Sequence, residues 1–184
     1  MESMTDVMLY APVKQFSEIL QGGHMTTQVT AMWIHGNAVV AEHPKNLLAL
    51  DRKGWGTEFK LQRGTKSWFH VAIPTPVIMN NQRPQLVRAF LFFNTPEEDG
   101  YISEVHLYDG ATKLQVFENL ALGGDCRTLM GGHNTFALPS PRTLYSGLGI
   151  SFLYQAPLRP DEPLRPSYLS IAAAGGDFES QAFL

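Results

Sequence analysis

The chain reads as an all-β domain, a two-sheet β-sandwich of jelly-roll type, with a closed β-barrel as the alternative. Three observations point there. About nine short runs rich in β-branched and aromatic residues recur between turn signals. Sixteen glycines and twelve prolines are spread along the chain and interrupt any longer periodic segment. Two pairs of runs flank a glycine-bearing two-residue turn signal with their alternation in phase across it, the pattern of a β-hairpin.

The elements follow in chain order. Val13, Phe16, Ile19 and Leu20 recur at helical spacing before Gly22-Gly23, so residues 12–21 are expected to form a short amphipathic helix within an N-terminal extension of residues 1–25. The sandwich domain is expected over residues 26–184. Residues 27–35 are strand-like, and Gly36-Asn37 predicts a hairpin with residues 38–42, setting Trp33 opposite Val40 and Ile34 opposite Val39. Residues 46–51 form another short strand, and 52–57 a turn. Residues 66–73 alternate strongly and are stopped by Pro74 and Pro76, which cannot donate to a ladder. Residues 85–93 are nearly continuously apolar, as in a central strand covered on both faces. Residues 101–108 and 111–117 form the clearest hairpin, around Asp109-Gly110 in a type I′ turn. A two-residue loop pairs Val105 with Leu114, and a four-residue loop pairs Leu107 with Leu114. Either register keeps Glu104, His106, Lys113 and Gln115 on the face opposite the apolar set. Residues 146–154 form a strand. Residues 156–166 carry four prolines and are irregular. Residues 168–174 form the last strand, ended by Gly175-Gly176.

Composition narrows the function classes. The formal net charge is −3 and no run of Lys or Arg tracks a phosphate backbone, so no nucleic-acid partner is expected. No apolar stretch reaches the roughly 18 residues of a spanning helix, so no membrane partner is expected. The start of the chain lacks a basic and then apolar leader, which makes the cytoplasm the expected location. The single Cys126 excludes an internal disulfide framework and reads as a small packed side chain. Charged residues make up 17%, below the usual value of about 25%. That suits a large core and a homo-oligomer equally well.

No nucleophile elbow, phosphate loop, His-Glu-x-x-His or Cys-x-x-Cys occurs, and the His-x-His pair of metal-binding jelly rolls is missing. Neither a cofactor nor a bound metal is expected. Of the six histidines, His35, His70 and His106 fall in predicted strands and would need to converge to hold a metal. The period of two sets Trp68 with His70 on one strand face, and Glu104 with His106 and Tyr108 on another. If those faces line one pocket, a carboxylate beside an imidazole holds its tautomer and gives His70 or His106, with Glu104, the capacity of a general base. Trp55, between Gly54 and Gly56, is placed either to stack on a sugar ring, with Asp51, Arg52 or Asn81 nearby, or to plug the end of the sandwich. Arg88 interrupts the apolar run 85–93 and needs an anionic partner, from Asp99, Glu97 or a ligand.

The strings Gly54-Trp55-Gly56-Thr57, Trp68-Phe69-His70, Ile73-Pro74-Thr75-Pro76 and His106-Leu107-Tyr108-Asp109-Gly110 resemble a family of small microbial β proteins catalogued as a domain of unknown function. The resemblance covers roughly residues 28–154. It implies an all-β fold and carries no catalytic or binding residues with it.

The expected function is a non-catalytic binding module for a carbohydrate or other small ligand, with Trp55, Trp68, Arg88 and Tyr108 as the contacting residues. The alternatives are a cofactor-independent isomerase, cyclase or dehydratase using His70, His106 and Glu104, and a structural or assembly protein.

Overall fold

The computed structural model describes residues 25–96, 99–161 and 164–183. It is an all-β sandwich of two antiparallel sheets, one of them strongly curled. The strands are β1 (Met25–His35), β2 (Val40–Ala41), β3 (Leu47–Lys53), β4 (Gly56–Leu61), β5 (Thr65–Ala72) and β6 (Gln85–Thr95). They continue as β7 (Tyr101–Asp109), β8 (Thr112–Phe117), β9 (Gly124–Asp125), β10 (Thr135–Thr143), β11 (Leu148–Ala156) and β12 (Ser167–Phe183). The seven-stranded sheet runs β10-β6-β12-β4-β3, with β1 also on β12 and β9 on β6; the five-stranded sheet runs β2-β5-β11-β7-β8. No helix among the described residues is long and apolar enough to cross a membrane. The helix expected over residues 12–21 lies outside the described residues.

The core lies between the sheets. Alternate residues of β5, β11 and β7 point inward: Phe69 and Val71, Ile150 and Phe152, Val105 and Leu107, all buried. They meet Phe59, Leu61, Leu91, Phe93, Leu169 and Ile171 of the other sheet. Phe69 stacks on Phe152 at 5.4 Å and meets Phe59 of the opposite sheet at 4.7 Å. Such contacts bury whole rings and tie the layers together.

Three local expectations are corrected. The hairpin over residues 27–42 does not form. β1 pairs along its whole length with β12, a 3₁₀ turn follows over Gly36–Ala38, and Val40 then pairs with His70 in the other sheet. The chain crosses between layers at Gly36 because a β-carbon there would lie 1.9 Å from the Ile171 carbonyl oxygen, so only glycine lets the turn close onto β12. His35 secures the crossing: its Nδ1 accepts from the Asn37 amide at 3.3 Å, so Nε2–H donates to the Gly54 carbonyl at 3.1 Å.

Gly175-Gly176 does not end the last strand, which runs on to Phe183. Gly175 lies between Trp33 on β1 and Phe90 on β6, and its missing side chain leaves room for the indole, which stacks on Phe90 at 5.1 Å. The glycine pair is a seat for a ring rather than a stop signal.

The 101–117 hairpin forms, but Asp109 pairs with Thr112, leaving Gly110-Ala111 as the central pair. Gly110 has φ of 56° and Ala111 is not left-handed, the pattern of type II′ rather than I′. Next to the turn Tyr108 faces Lys113, as a four-residue loop counted from Asp109 requires. A bulge then makes Leu107 face Gln115 and His106 face Val116. Gln115 therefore shares the inward side and Val116 the outward one, the reverse of the expected alternation.

Candidate functional site

The outward faces of β5, β11 and β7 bring Trp68, His70, Glu104, His106 and Tyr108 onto one surface. β11 lies between the other two strands, so Ser151 stands opposite both His70 and His106, and Leu153 opposite both Trp68 and Glu104. Glu42, Trp68, His70, His106, Tyr108, Lys113 and Ser151 line a depression of about 260 Å³. Glu104 stands outside that lining and reaches it through His106.

Each imidazole is held by a carboxylate. His70 Nε2 is 3.0 Å from Glu42 Oε2, and its Nδ1 is 2.8 Å from Ser151 Oγ. A carboxylate only accepts, so Nε2 of His70 carries the proton and Nδ1 accepts from the Ser151 hydroxyl. His106 Nε2 donates to Glu104 Oε2 at 3.1 Å. The His106 ring lies 4.7 Å from Trp68 and 6.3 Å from Tyr108, and the Lys113 ammonium sits 5.7 Å from the Tyr108 ring. Burial, and next the nearby Lys113, hold His106 below the usual imidazole range despite Glu104. It is neutral at neutral pH. His70 is more open, with 38% of its side chain exposed.

Asp109 positions this surface. It follows Tyr108 on β7, and its carboxylate accepts from the backbone N–H groups of Tyr145, Ser146 and Gly147 at 2.7–2.9 Å. That delivers Leu148 opposite Asp109 and starts β11 in the register that carries Ser151 to His106. Burial raises the Asp109 pKa, but the three amides outweigh it and leave the group below the ordinary carboxylate value of 3.8. The depressed value means stability that is present above 3.8 and lost as pH falls through the folded-state value. Asp109→Asn is expected to lower stability at neutral pH by about 2 kcal/mol. The gap to the parent protein should begin to narrow in urea melts as pH falls below 3.8 and close only below the lower folded-state value, where the parent carboxylate also protonates in the folded protein.

The other sequence candidates lie in the seven-stranded sheet. Trp55 is in the β3–β4 turn, 40% exposed, with Lys53 Nζ 5.6 Å and the Arg127 guanidinium 5.5 Å from its ring. Arg88 pairs with Asp177 across the β6–β12 ladder, Nε to Oδ2 at 2.7 Å, rather than with Asp99; Glu97 lies outside the described residues. His35 is in β1, so the three strand histidines do not converge. Among the described residues no three of His, Cys, Asp and Glu are grouped to hold a metal. Cys126 packs against the core, and burial, with Asp125 beside it, pushes its thiol pKa up, away from nucleophilic character.

Sequence reasoning missed Glu42 and Ser151. Glu42 reaches His70 only because the chain changes sheets at Gly36, which no local pattern announces. Ser151 carried a usable signal, since it is the polar residue between inward-pointing Ile150 and Phe152.

The chain belongs to a family of unknown function, DUF6623, whose sequence model matches residues 26–154. The match takes in β1 to β10 and most of β11, and with them every residue of the depression. No curated protein matches the chain.

Proposed function

We propose that the outer face of the five-stranded sheet is a non-catalytic binding surface for a carbohydrate or a small ligand of similar chemistry. The observation that carries this reading is the joint placement of Trp68, His106 and Tyr108 beside Glu42, His70, Ser151 and Lys113 in one open depression. A sugar ring has an apolar C–H face that stacks on an aromatic ring and hydroxyls that both donate and accept. Here the rings supply the apolar contact, the Glu42 carboxylate accepts, and Lys113 donates. The β-ladder beneath fixes the strand spacing, so little ordering opposes binding.

The cofactor-independent enzyme is the second reading, with His70 or His106 as general base and Glu104 holding His106. Its support is that both imidazoles face the same depression. Binding is favoured because the site is shallow and His70 is open to water, whereas general-base chemistry gains from an enclosed, dry pocket.

Glycan-array screening followed by calorimetry is expected to identify a saccharide whose affinity falls about tenfold or more in Trp68→Ala, a loss of about 1.4 kcal/mol. Trp55→Ala and Arg88→Ala, both in the other sheet, should bind as the parent does. Absence of any ligand at millimolar concentration, or equal losses in Trp55→Ala and Trp68→Ala, contradicts the reading.

A further inference from the structure

We propose that Ser151 is a nucleophile, activated by Glu42 through His70, that takes an acyl group from a small activated ester. The three groups form one continuous hydrogen-bonded chain. Glu42 Oε2 holds His70 Nε2 at 3.0 Å, and His70 Nδ1 lies 2.8 Å from Ser151 Oγ. With Nε2–H committed to the carboxylate, the lone pair on Nδ1 points at the serine hydroxyl. This is the arrangement in which an imidazole removes that proton during attack. The ring nitrogens are used in the opposite order from the familiar serine-hydrolase constellation, but the proton bookkeeping is the same. The chain is assembled from three places in the sequence: Glu42 after the crossover, His70 on β5 and Ser151 on β11. Its serine end opens into the depression that Lys113 also lines.

The step balances. Ser151 Oγ attacks the ester carbonyl carbon as its proton passes to His70 Nδ1, and a new O–C bond forms. The C–O bond to the leaving group breaks, and the leaving oxygen takes the proton from Nδ1 or departs as a stable phenolate. Where the phenolate departs unprotonated, Nδ1 first gives its proton to solvent. Nδ1 then takes a proton from the water that attacks the acyl carbon and passes it to Ser151 Oγ as the C–O bond to the serine breaks and the acid leaves. The amides around Ser151 belong to a strand paired on both sides, with β5 and with β7. No amide pair is free there to hold an oxyanion, a feature worth about 10²–10³ in rate. Both steps are slowed by this, but a good leaving group drives acylation whereas water must attack an ordinary serine ester, so the acyl-serine is expected to accumulate.

The inference uses the same depression as the binding reading but goes beyond its non-catalytic assignment: it adds a slow acyl-transfer step at Ser151, driven by an activated leaving group, and does not require a sugar ligand. The test is p-nitrophenyl acetate with the full chain, read by acid-quenched peptide mapping with fragment sequencing across residues 143–170. Acetylation is expected at Ser151 ahead of Ser146 and Ser167, and absent there in Ser151→Ala. Labelling at residue 151 should fall about 100-fold in His70→Gln. Glu42 acts through His70 as a positioning residue. Glu42→Gln should cut labelling about tenfold or more without changing the melting temperature, and Glu42→Asp should restore part of it. Labelling of Ser151 at the rate of other exposed serines, or an unchanged rate in folded His70→Gln, overturns the proposal. A protein that binds glycans but does not label at Ser151 retains the binding reading and loses this one.

Discussion

Arg63→Met is expected to destabilise the fold by about 3–5 kcal/mol, the largest effect of any single substitution considered. Arg63 and Asp99 are almost completely buried, with side chains 0% and 1% exposed, and they meet at 2.8 Å from Nη2 to Oδ1. The same guanidinium donates to the carbonyls of Arg165 at 2.9 Å and Asp99 at 3.4 Å. It thus fastens the chain at Arg165, just before β12, and at Asp99, just before β7, onto the end of the sandwich. Ser167 Oγ donates to the Asp99 carbonyl and shares a hydrogen bond with the Tyr154 hydroxyl, so the cluster reaches from loop to core. Methionine matches the bulk but leaves Asp99 as a buried carboxylate without its close cation. Asp99 Oδ2 lacks a hydrogen-bond partner among the described residues, and the cation that remains, Arg165, lies 3.7 Å from Oδ1 with half its side chain exposed, so it offsets only part of the charge. Arg63→Met with Asp99→Asn removes both charges and should recover part of the loss. Urea unfolding of the two variants, with unchanged m-values, measures this directly. A loss below about 1 kcal/mol in Arg63→Met would place the pair among ordinary surface bridges and contradict its reading as a buried lock.

Gly36→Ala is expected to cost about 3 kcal/mol, lowering the melting temperature by about 6–12 °C. The added carbon would meet the Ile171 carbonyl oxygen at 1.9 Å and its carbon at 2.6 Å. Both are backbone atoms of β12, the longest strand, which is paired on both edges and cannot yield as a side-chain tip does. Gly54→Ala is the control, since nothing lies within 4 Å of the position a β-carbon would take there. It should melt with the parent. Gly36 also carries a consequence for the site. The turn it permits brings Glu42 to His70, so a Gly36→Ala protein that still folds should lose the Glu42–His70 contact as well as stability. Equal melting of the two glycine variants would show that the crossing is not the tight point the geometry makes it.

Much of the sandwich was legible because a pleated strand writes its burial into the sequence with period two. β5, β6, β7 with β8, and β11 are all visible that way, and so is the shared face of Trp68 and His70 and that of Glu104, His106 and Tyr108. Period two does not say which strands are neighbours. The placement of β11 between β5 and β7, which puts Ser151 between two imidazoles, is a pairing of residues about 80 and 45 positions apart and leaves no local mark. Glycine misled twice for one physical reason. Gly36 and Gly175 resemble turn and stop signals, yet both are needed because another chain segment comes too close for a β-carbon. Asp109 shows a third limit. Its turn-forming character was evident, but its carboxylate is spent on three amides of a loop 36–38 residues away.

The account rests on two imidazoles held by carboxylates on either side of Ser151. Long-range ¹H–¹⁵N spectroscopy of the histidine rings reads that arrangement without a ligand. In their neutral forms His70 and His106 are each predicted to show a single Nε2–H tautomer, with His106 gaining its second proton only below the ordinary imidazole value of 6.5. A rapidly averaged tautomer mixture on both rings, unchanged by Glu42→Gln or Glu104→Gln, would contradict it.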